Sequence, residues 1–257
     1  MDNHYHFSRI AHRYRDLRTT DPEPITFIAR ELSGMPGIEA ADVGCGAGRY
    51  DLLLHEHLGE KLHLTCVDPN RDMLKTLDTH LKRNGVRKFR AVNASAESLP
   101  FPNDALDCVF SFNSVHHFSL QRFLEESARI LRKGGYLFIY TRLQQQNERN
   151  IWGRYFPEFC RKESRLYRLN TFVEALIKTP GLRARSVEHF KYRRISALDR
   201  LVEQASANHY STFGLYPPEE LEVAITGFRR NIECYFEDIQ KVEWCDENVL
   251  FVIRKEE

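Results

Sequence analysis

The first residues in the chain with a chemical signature are Asp42, Gly44, Gly46 and Gly48. Asp42 lies near the end of a small apolar run, Ile38 to Val43, and the three glycines follow at alternate positions. Tyr50 to Leu58 then takes up helical spacing. Glycine permits positive φ and has no Cβ, so three of them between a strand and a helix predict a ligand lying against the backbone of the turn. A tight chain reversal with no ligand is the alternative. The pattern D-x-G-x-G-x-G is one residue tighter in its second interval than the dinucleotide fingerprint, which disfavours a NAD-linked oxidoreductase.

Four further segments continue the pattern. Lys61 to Val67 reads as a strand ending in Asp68, Pro69 and Asn70, and Met73, Leu74, Leu77 and Leu81 mark the helix after it. Asp68 lies 20 residues beyond Gly48, where a strand-end carboxylate can accept hydrogen bonds from both ribose hydroxyls of an adenosine. It could instead cap the helix that begins near Asn70. Phe89 to Val92 reads as a third strand, followed by Ser95, Ala96 and Glu97 and a Leu99-Pro100-Phe101 turn. A fourth strand over Asp104 to Ser111 leads into Asn113, His116 and His117, and Gly134-Gly135 precedes a fifth.

In this order the five segments resemble the class I S-adenosylmethionine-dependent methyltransferases of the type 11 kind, over roughly residues 1 to 143. The resemblance implies an α/β, Rossmann-like sheet of seven strands, mostly parallel with the last antiparallel, flanked by helices. It implies S-adenosylmethionine as methyl donor and S-adenosylhomocysteine as product. The cofactor residues it implies are Asp42, Gly44, Gly46 and Gly48 on the methionine side, Asp68, Pro69, Asn70 and Met73 around the ribose, Ser95, Ala96 and Glu97 beside the adenine, and Asn113. Many relatives carry an Asp where this chain has Ser95. An uncharged hydroxyl accepts more weakly than a carboxylate, so adenine contacts are expected to rest more on backbone. Arg18, in an element that resembles Tyr-Asp-x-x-Arg, is expected to meet the methionyl carboxylate, against the reading of an ordinary surface arginine.

Chemistry in this class is direct displacement, in which alignment alone can lower a barrier by ~7 to 11 kcal/mol and no catalytic triad is required. His116 or His117 has the type of a neutral-pH base for a protonated acceptor, although a His-His-Phe segment can equally begin the next helix for structural reasons.

The remaining elements must position these groups. The expected organisation is one methyltransferase domain over 1–257, with an N-terminal helical lid at 1–36, a donor-binding core at 37–143, and helical acceptor-side segments at 144–181 and 193–248. Six cysteines form no C-x-x-C pair and no metal constellation is evident. No basic-then-apolar leader and no run of ~18 apolar residues is present, so a cytoplasmic protein with no membrane partner is expected.

Net charge is +1, yet residues 141–200 hold fourteen Lys or Arg against six acids, while 217–257 hold five against eleven. Arg161, Arg165 and Arg168 fall at helical spacing, interleaved with Trp152, Tyr155, Phe156, Phe159 and Tyr167. A basic, aromatic-lined pocket suits a small anionic acceptor, with Tyr210 and Tyr216 as candidate lining residues. The competing readings are a tRNA or rRNA substrate, a non-catalytic binding module of the same fold, and a solvated basic helix whose aromatic residues are core.

Overall fold

The computed structural model describes residues 19–256. Arg18 and the first part of the expected lid lie outside the described residues. Within the lid, the helix Glu23–Glu31 begins with a proline in its first turn, which costs no hydrogen bond there, and buries Pro24, Ile25 and Ile28.

Seven strands form one sheet: β1 (Ile38–Val43), β2 (Leu62–Val67), β3 (Phe89–Val92), β4 (Leu106–Phe112), β5 (Leu131–Thr141), β6 (Leu182–Ser196) and β7 (Val242–Lys255). Their spatial order is β3-β2-β1-β4-β5-β7-β6. The first five pair in parallel, and β7 inserts antiparallel to β5 with Tyr136 opposite Arg254 and Thr141 opposite Val249. The order reverses at β1, and in such sheets the carboxyl ends of the strands beside that switch form the ligand crevice. Both β1 and β4 are almost wholly buried, as their mainly small and apolar composition suits central parallel strands.

The chain forms two compact units. Among the described residues, the larger comprises 19–141, 169–188 and 249–256, and the smaller comprises 142–168 and 189–248. A column of aromatic rings runs along one side of the larger unit's sheet. Tyr136 stacks on Phe138 at 5.3 Å, Phe138 on Phe110 at 5.7 Å, Phe110 on Phe112 at 6.0 Å and Phe112 on Tyr50 at 4.6 Å. Alternation along β4 and β5 puts these side chains on one face, so the period of the strands builds the column. It ends at Tyr50, in the first turn of the helix Arg49–Leu58.

The smaller unit has its own core. Trp152, Phe156, Phe159, Phe213 and Phe228 are all buried, and Trp152 lies over Phe228 at 5.1 Å. The expectation of an aromatic pocket surface is therefore corrected at Trp152, Phe156 and Phe159, which are packing residues. The single basic face is corrected too. The helix Phe159–Lys162 is only one turn long, so Arg161 lies at its end and Arg165 and Arg168 lie in the irregular chain beyond. Each is engaged locally: Arg161 with Glu158, Arg165 with Glu163 and Ser211, and Arg168 with Gln144.

The charge split has a structural explanation. Basic groups of residues 141–200 pair with acids of 217–257: Arg142 and Arg194 with Asp246, Arg149 with Glu247, Lys162 with Glu220, Arg183 with Glu256, and Arg193 with Glu243. Among the described residues, no helix is long and apolar enough to cross a membrane, and no group of His, Cys, Asp and Glu could hold a metal ion.

Phe110 is fully buried in the middle of the aromatic column. Phe110→Ala should cost about 3 to 5 kcal/mol of unfolding free energy, the range for removing a large core aromatic. Urea denaturation measures it, and a loss below about 1 kcal/mol would contradict the column's role in the core.

Candidate functional site

The turn after β1 is left-handed at three positions, with φ of +75° at Gly44, +56° at Gly46 and +82° at Gly48. Side-chain-bearing residues avoid that region. At Gly44 space is also lacking, since a Cβ would lie 2.6 Å from Ser114 Cβ. The N–H groups of Gly44 and Cys45 donate to the Val67 carbonyl at 2.8 and 3.2 Å, which fastens the turn to the end of β2. Asp68 completes the attachment. Its Oδ2 accepts from the Gly46 N–H at 3.0 Å and its Oδ1 from the Asn70 N–H at 2.8 Å. An ionised carboxylate offers about four acceptor positions, so these two bonds orient it as an acceptor for hydroxyl donors. Helix capping falls to Asn70 instead, whose Oδ1 accepts from the N–H groups of Asp72 and Met73 at 2.9 and 3.1 Å.

Beside this turn, the end of β4 is shaped by Asn113. Its φ of +52° is rare for a residue with a side chain and marks a backbone held by its surroundings. The Asn113 N–H donates to the Tyr140 carbonyl at 2.7 Å, and its amide nitrogen lies 3.5 Å from the Tyr50 hydroxyl. Burial pushes the Tyr50 hydroxyl up to about 12, which keeps it neutral and unsuited to act as a base near pH 7. Ser114 Oγ donates to the Val43 carbonyl at 3.1 Å, tying the end of β4 to the end of β1. His116 and His117 follow in a single 3₁₀ turn, half-buried, with ring centroids 4.1 Å apart. On the other side of Tyr50, Arg49 donates to the Thr19 carbonyl at 2.8 Å and to Thr20 Oγ1 at 3.2 Å, which holds the chain ahead of Asp21 against the start of the helix.

Beneath the turn lies a pair of buried acids. Asp42 and Asp51 are both at most 1% exposed, and the Asp51 charge acts on Asp42. Burial raises both, Asp51 to about 6 and Asp42 well above its ordinary value, with the Asp51 and Asp68 charges adding to the rise at Asp42. Two neighbouring carboxyls away from water cannot both ionise cheaply, so a proton is retained at mildly acidic pH. Cys45 and Cys66 sit beside these acids, and burial raises both thiols, making them packing groups and not nucleophiles.

Residues 41–139 match the family model described as a methyltransferase domain. Over those residues the chain is similar to methyltransferase domains. Among its relatives, the methyltransferase YcgJ of Bacillus subtilis is 29% identical over 137 residues, 52% of this chain and 53% of that protein. A demethylmenaquinone methyltransferase of Listeria monocytogenes is 26% identical over 68% of this chain and 77% of its own length. The crystal structure of YcgJ superposes with a TM-score of 0.64 at 16% identity, covering 91% of this chain and 99% of that one. A geranyl diphosphate C-methyltransferase of Streptomyces coelicolor, solved with S-adenosylhomocysteine, does so with a TM-score of 0.55 at 14% identity, covering 90% and 76%. At these identities the structural likeness shows the fold alone. Proteins named as tRNA methyltransferases also match, one from human over 45% of this chain. Kinship of this kind identifies the donor domain and not the acceptor.

S-adenosylmethionine is the cofactor of the methyltransferase domain, and the residues present fit it. Gly44, Gly46 and Gly48 let the turn take its left-handed course, and Asp68 is held as an acceptor at the end of β2. The structure brings Asp42, Gly46, Asp68, Asn70, Met73 and Asn113 to the carboxyl ends of β1, β2 and β4. Ser95, Ala96 and Glu97 lie in the irregular segment after β3, tethered where Asn93 donates to the Asp68 and Pro69 carbonyls at 3.0 and 2.8 Å. Sequence reasoning missed Arg49 and Asp51. An acidic residue in the first turn of a helix reads as an ordinary partner of the helix dipole, and only the fold shows that Asp51 points inward.

A carboxyl whose folded value is raised contributes stability at low pH that is lost as pH climbs through about 6. Asp51→Asn removes the titrating group and with it that loss. It should raise unfolding free energy by on the order of 2 to 3 kcal/mol at pH 8 and by about half as much at pH 5, which lies between the unfolded and folded values. Denaturant midpoints at the two pH values test this; an equal gain at both would show that the pair does not titrate.

Proposed function

We propose that this chain transfers the methyl group of S-adenosylmethionine by direct displacement to a small-molecule acceptor. The observation that carries the donor site is the Asp68 carboxylate bonded to the Gly46 N–H across a left-handed glycine turn. The sulfonium makes the methyl group reactive when the donor is bound, and the protein's part is alignment and exclusion of water. In this reading Asp68 accepts from the ribose hydroxyls, and Gly44 to Gly48 form the wall against the methionine end. Asn113 faces the reacting end, with its strained backbone fixing where its amide stands. His116 and His117 are the candidates to take a proton from a protonated acceptor, and Arg18 is the candidate partner for the methionyl carboxylate.

Pairing of the basic segment with the acidic one supports a small acceptor over RNA, because those guanidiniums and the Lys162 ammonium are met by the chain's own carboxylates. Segments 144–181 and 193–248 are proposed to choose the acceptor.

Isothermal titration with S-adenosylmethionine and S-adenosylhomocysteine should show saturable binding, and no heat from either at high micromolar concentration would refute the donor site. Asp68→Ala should weaken that binding by at least ~1.5 to 3 kcal/mol, the scale of a charge-assisted hydrogen bond, because the Gly46 attachment goes with the ribose contact. Unchanged affinity would reject its ribose role. Methyl transfer to pooled metabolites, little affected by salt, is the expected activity; transfer to RNA that falls steeply with salt would replace the small-molecule reading.

A further inference from the structure

The segment after β3, residues 93–103, is neither helix nor strand, yet it is held along its length. Glu97 Oε1 accepts from the Ser119 N–H at 2.8 Å. The Leu99 N–H donates to Glu126 Oε2 at 2.7 Å, and the Leu99 carbonyl accepts from Arg129 Nη2 at 3.0 Å. Arg129 Nη1 also donates to the Phe101 carbonyl at 2.7 Å and to Asn103 Oδ1 at 3.1 Å. Glu126 and Arg129 are one turn apart on the helix Leu120–Ile130 and are joined by two hydrogen bonds of 2.8 Å. Both backbone groups of Leu99 are thus satisfied by one ion pair, as a neighbouring strand would satisfy them.

An exposed ion pair of this spacing on a helix contributes a few tenths of a kcal/mol to stability and needs no second role. This one is two-thirds or more shielded, at 33% and 20% side-chain exposure, and four of its hydrogen bonds leave the helix for residues 99–103. The Arg129 guanidinium beside Glu126 holds that carboxyl below its ordinary value, so the pair stays charged.

We propose that Glu126 and Arg129 are positioning residues that set selectivity for the adenine base of the donor. The inference rests on the donor site proposed above, with Ser95, Ala96 and Glu97 beside the adenine as the resemblance implies. Ser95 offers a hydroxyl there and no carboxylate, so discrimination of the base falls on main-chain N–H and C=O groups. Such groups select a hydrogen-bonding pattern only when their positions are fixed. The ion pair fixes them from outside the site, touching neither donor nor acceptor.

The test compares S-adenosylhomocysteine with S-inosylhomocysteine, in which an oxo group replaces the adenine amine, by isothermal titration against wild type, Arg129→Gln, Glu126→Gln and Arg129→Lys. Wild type should bind the adenosyl ligand and prefer it over the inosyl one by about tenfold or more, the scale of one well-placed hydrogen bond. Failure of wild type to bind either ligand would sink the donor site itself, whereas binding without preference would sink only this inference. Folded Arg129→Gln and Glu126→Gln should lose affinity for the adenosyl ligand by about tenfold and keep most of that for the inosyl one. Arg129→Lys should recover part of the preference. Equal weakening of both ligands, with the preference kept, would make the pair merely structural. Should the variants fail to fold, amide hydrogen exchange on wild type decides: the Leu99 amide should be strongly protected without ligand, and exchange at the rate of an unprotected backbone would overturn the proposal.

Discussion

The bond between the Asp68 carboxylate and the Gly46 N–H is the constraint on which the donor half depends. Three glycines in one turn give a chain segment with much conformational freedom to lose and no side chains with which to hold itself. Its order must be supplied from outside, and it comes from the end of the neighbouring strand: the Val67 carbonyl takes two N–H groups and Asp68 takes the third. The same carboxylate accepts from Asn70, and Asn70 caps the following helix. One residue thereby sets the relation between the first turn and the second helix. The register of β1 on β2, with Asp42 beside Cys66 and Val43 beside Val67, brings these groups within reach of one another.

A second principle operates away from the site. The basic and acidic segments look in sequence like two surfaces awaiting partners, and in the fold they are each other's partners. The Arg183–Glu256 and Arg193–Glu243 pairs are largely exposed, so each contributes little to stability. Their larger effect is on the outside world, because a chain whose opposite charges are interleaved presents a weaker field to polyanions than its local composition suggests.

The legible parts of the sequence were those in which a local pattern has a local cause. Strand, glycine turn and helix appear in order at β1 because burial demands a mainly apolar strand and the left-handed turn demands glycine. Asp68 could be found by its distance from that turn, although its grip on Gly46 could not. Arg161, Arg165 and Arg168 misled because helical spacing continues on paper through a stretch where the chain has already left the helix at Lys162. Trp152, Phe156 and Phe159 were ambiguous since an aromatic residue in a core and one in a pocket have the same pattern. Asp51 was invisible for a different reason: a carboxyl in a first helical turn is ordinary, and only the packing of that helix on the sheet turns it toward Asp42. Glu126 and Arg129 read as a common surface pair, because the backbone they satisfy lies in a separate, irregular segment.

The place of β7 has a consequence for how the chain must be made. β5 carries Leu137, Phe138, Ile139 and Tyr140, all fully buried, and its antiparallel partner is Val249–Arg254. Residues 142–241 are synthesised between the two strands. Throughout that interval β5 is the open margin of a parallel sheet, apolar and lined with unpaired N–H and C=O groups, the kind of edge that recruits strands from other molecules. The smaller unit, whose segments 142–168 and 189–248 occupy most of that interval, thus sets the time for which a nascent chain is exposed to misassembly. Lengthening its loops would extend that time even where the finished fold accommodates them.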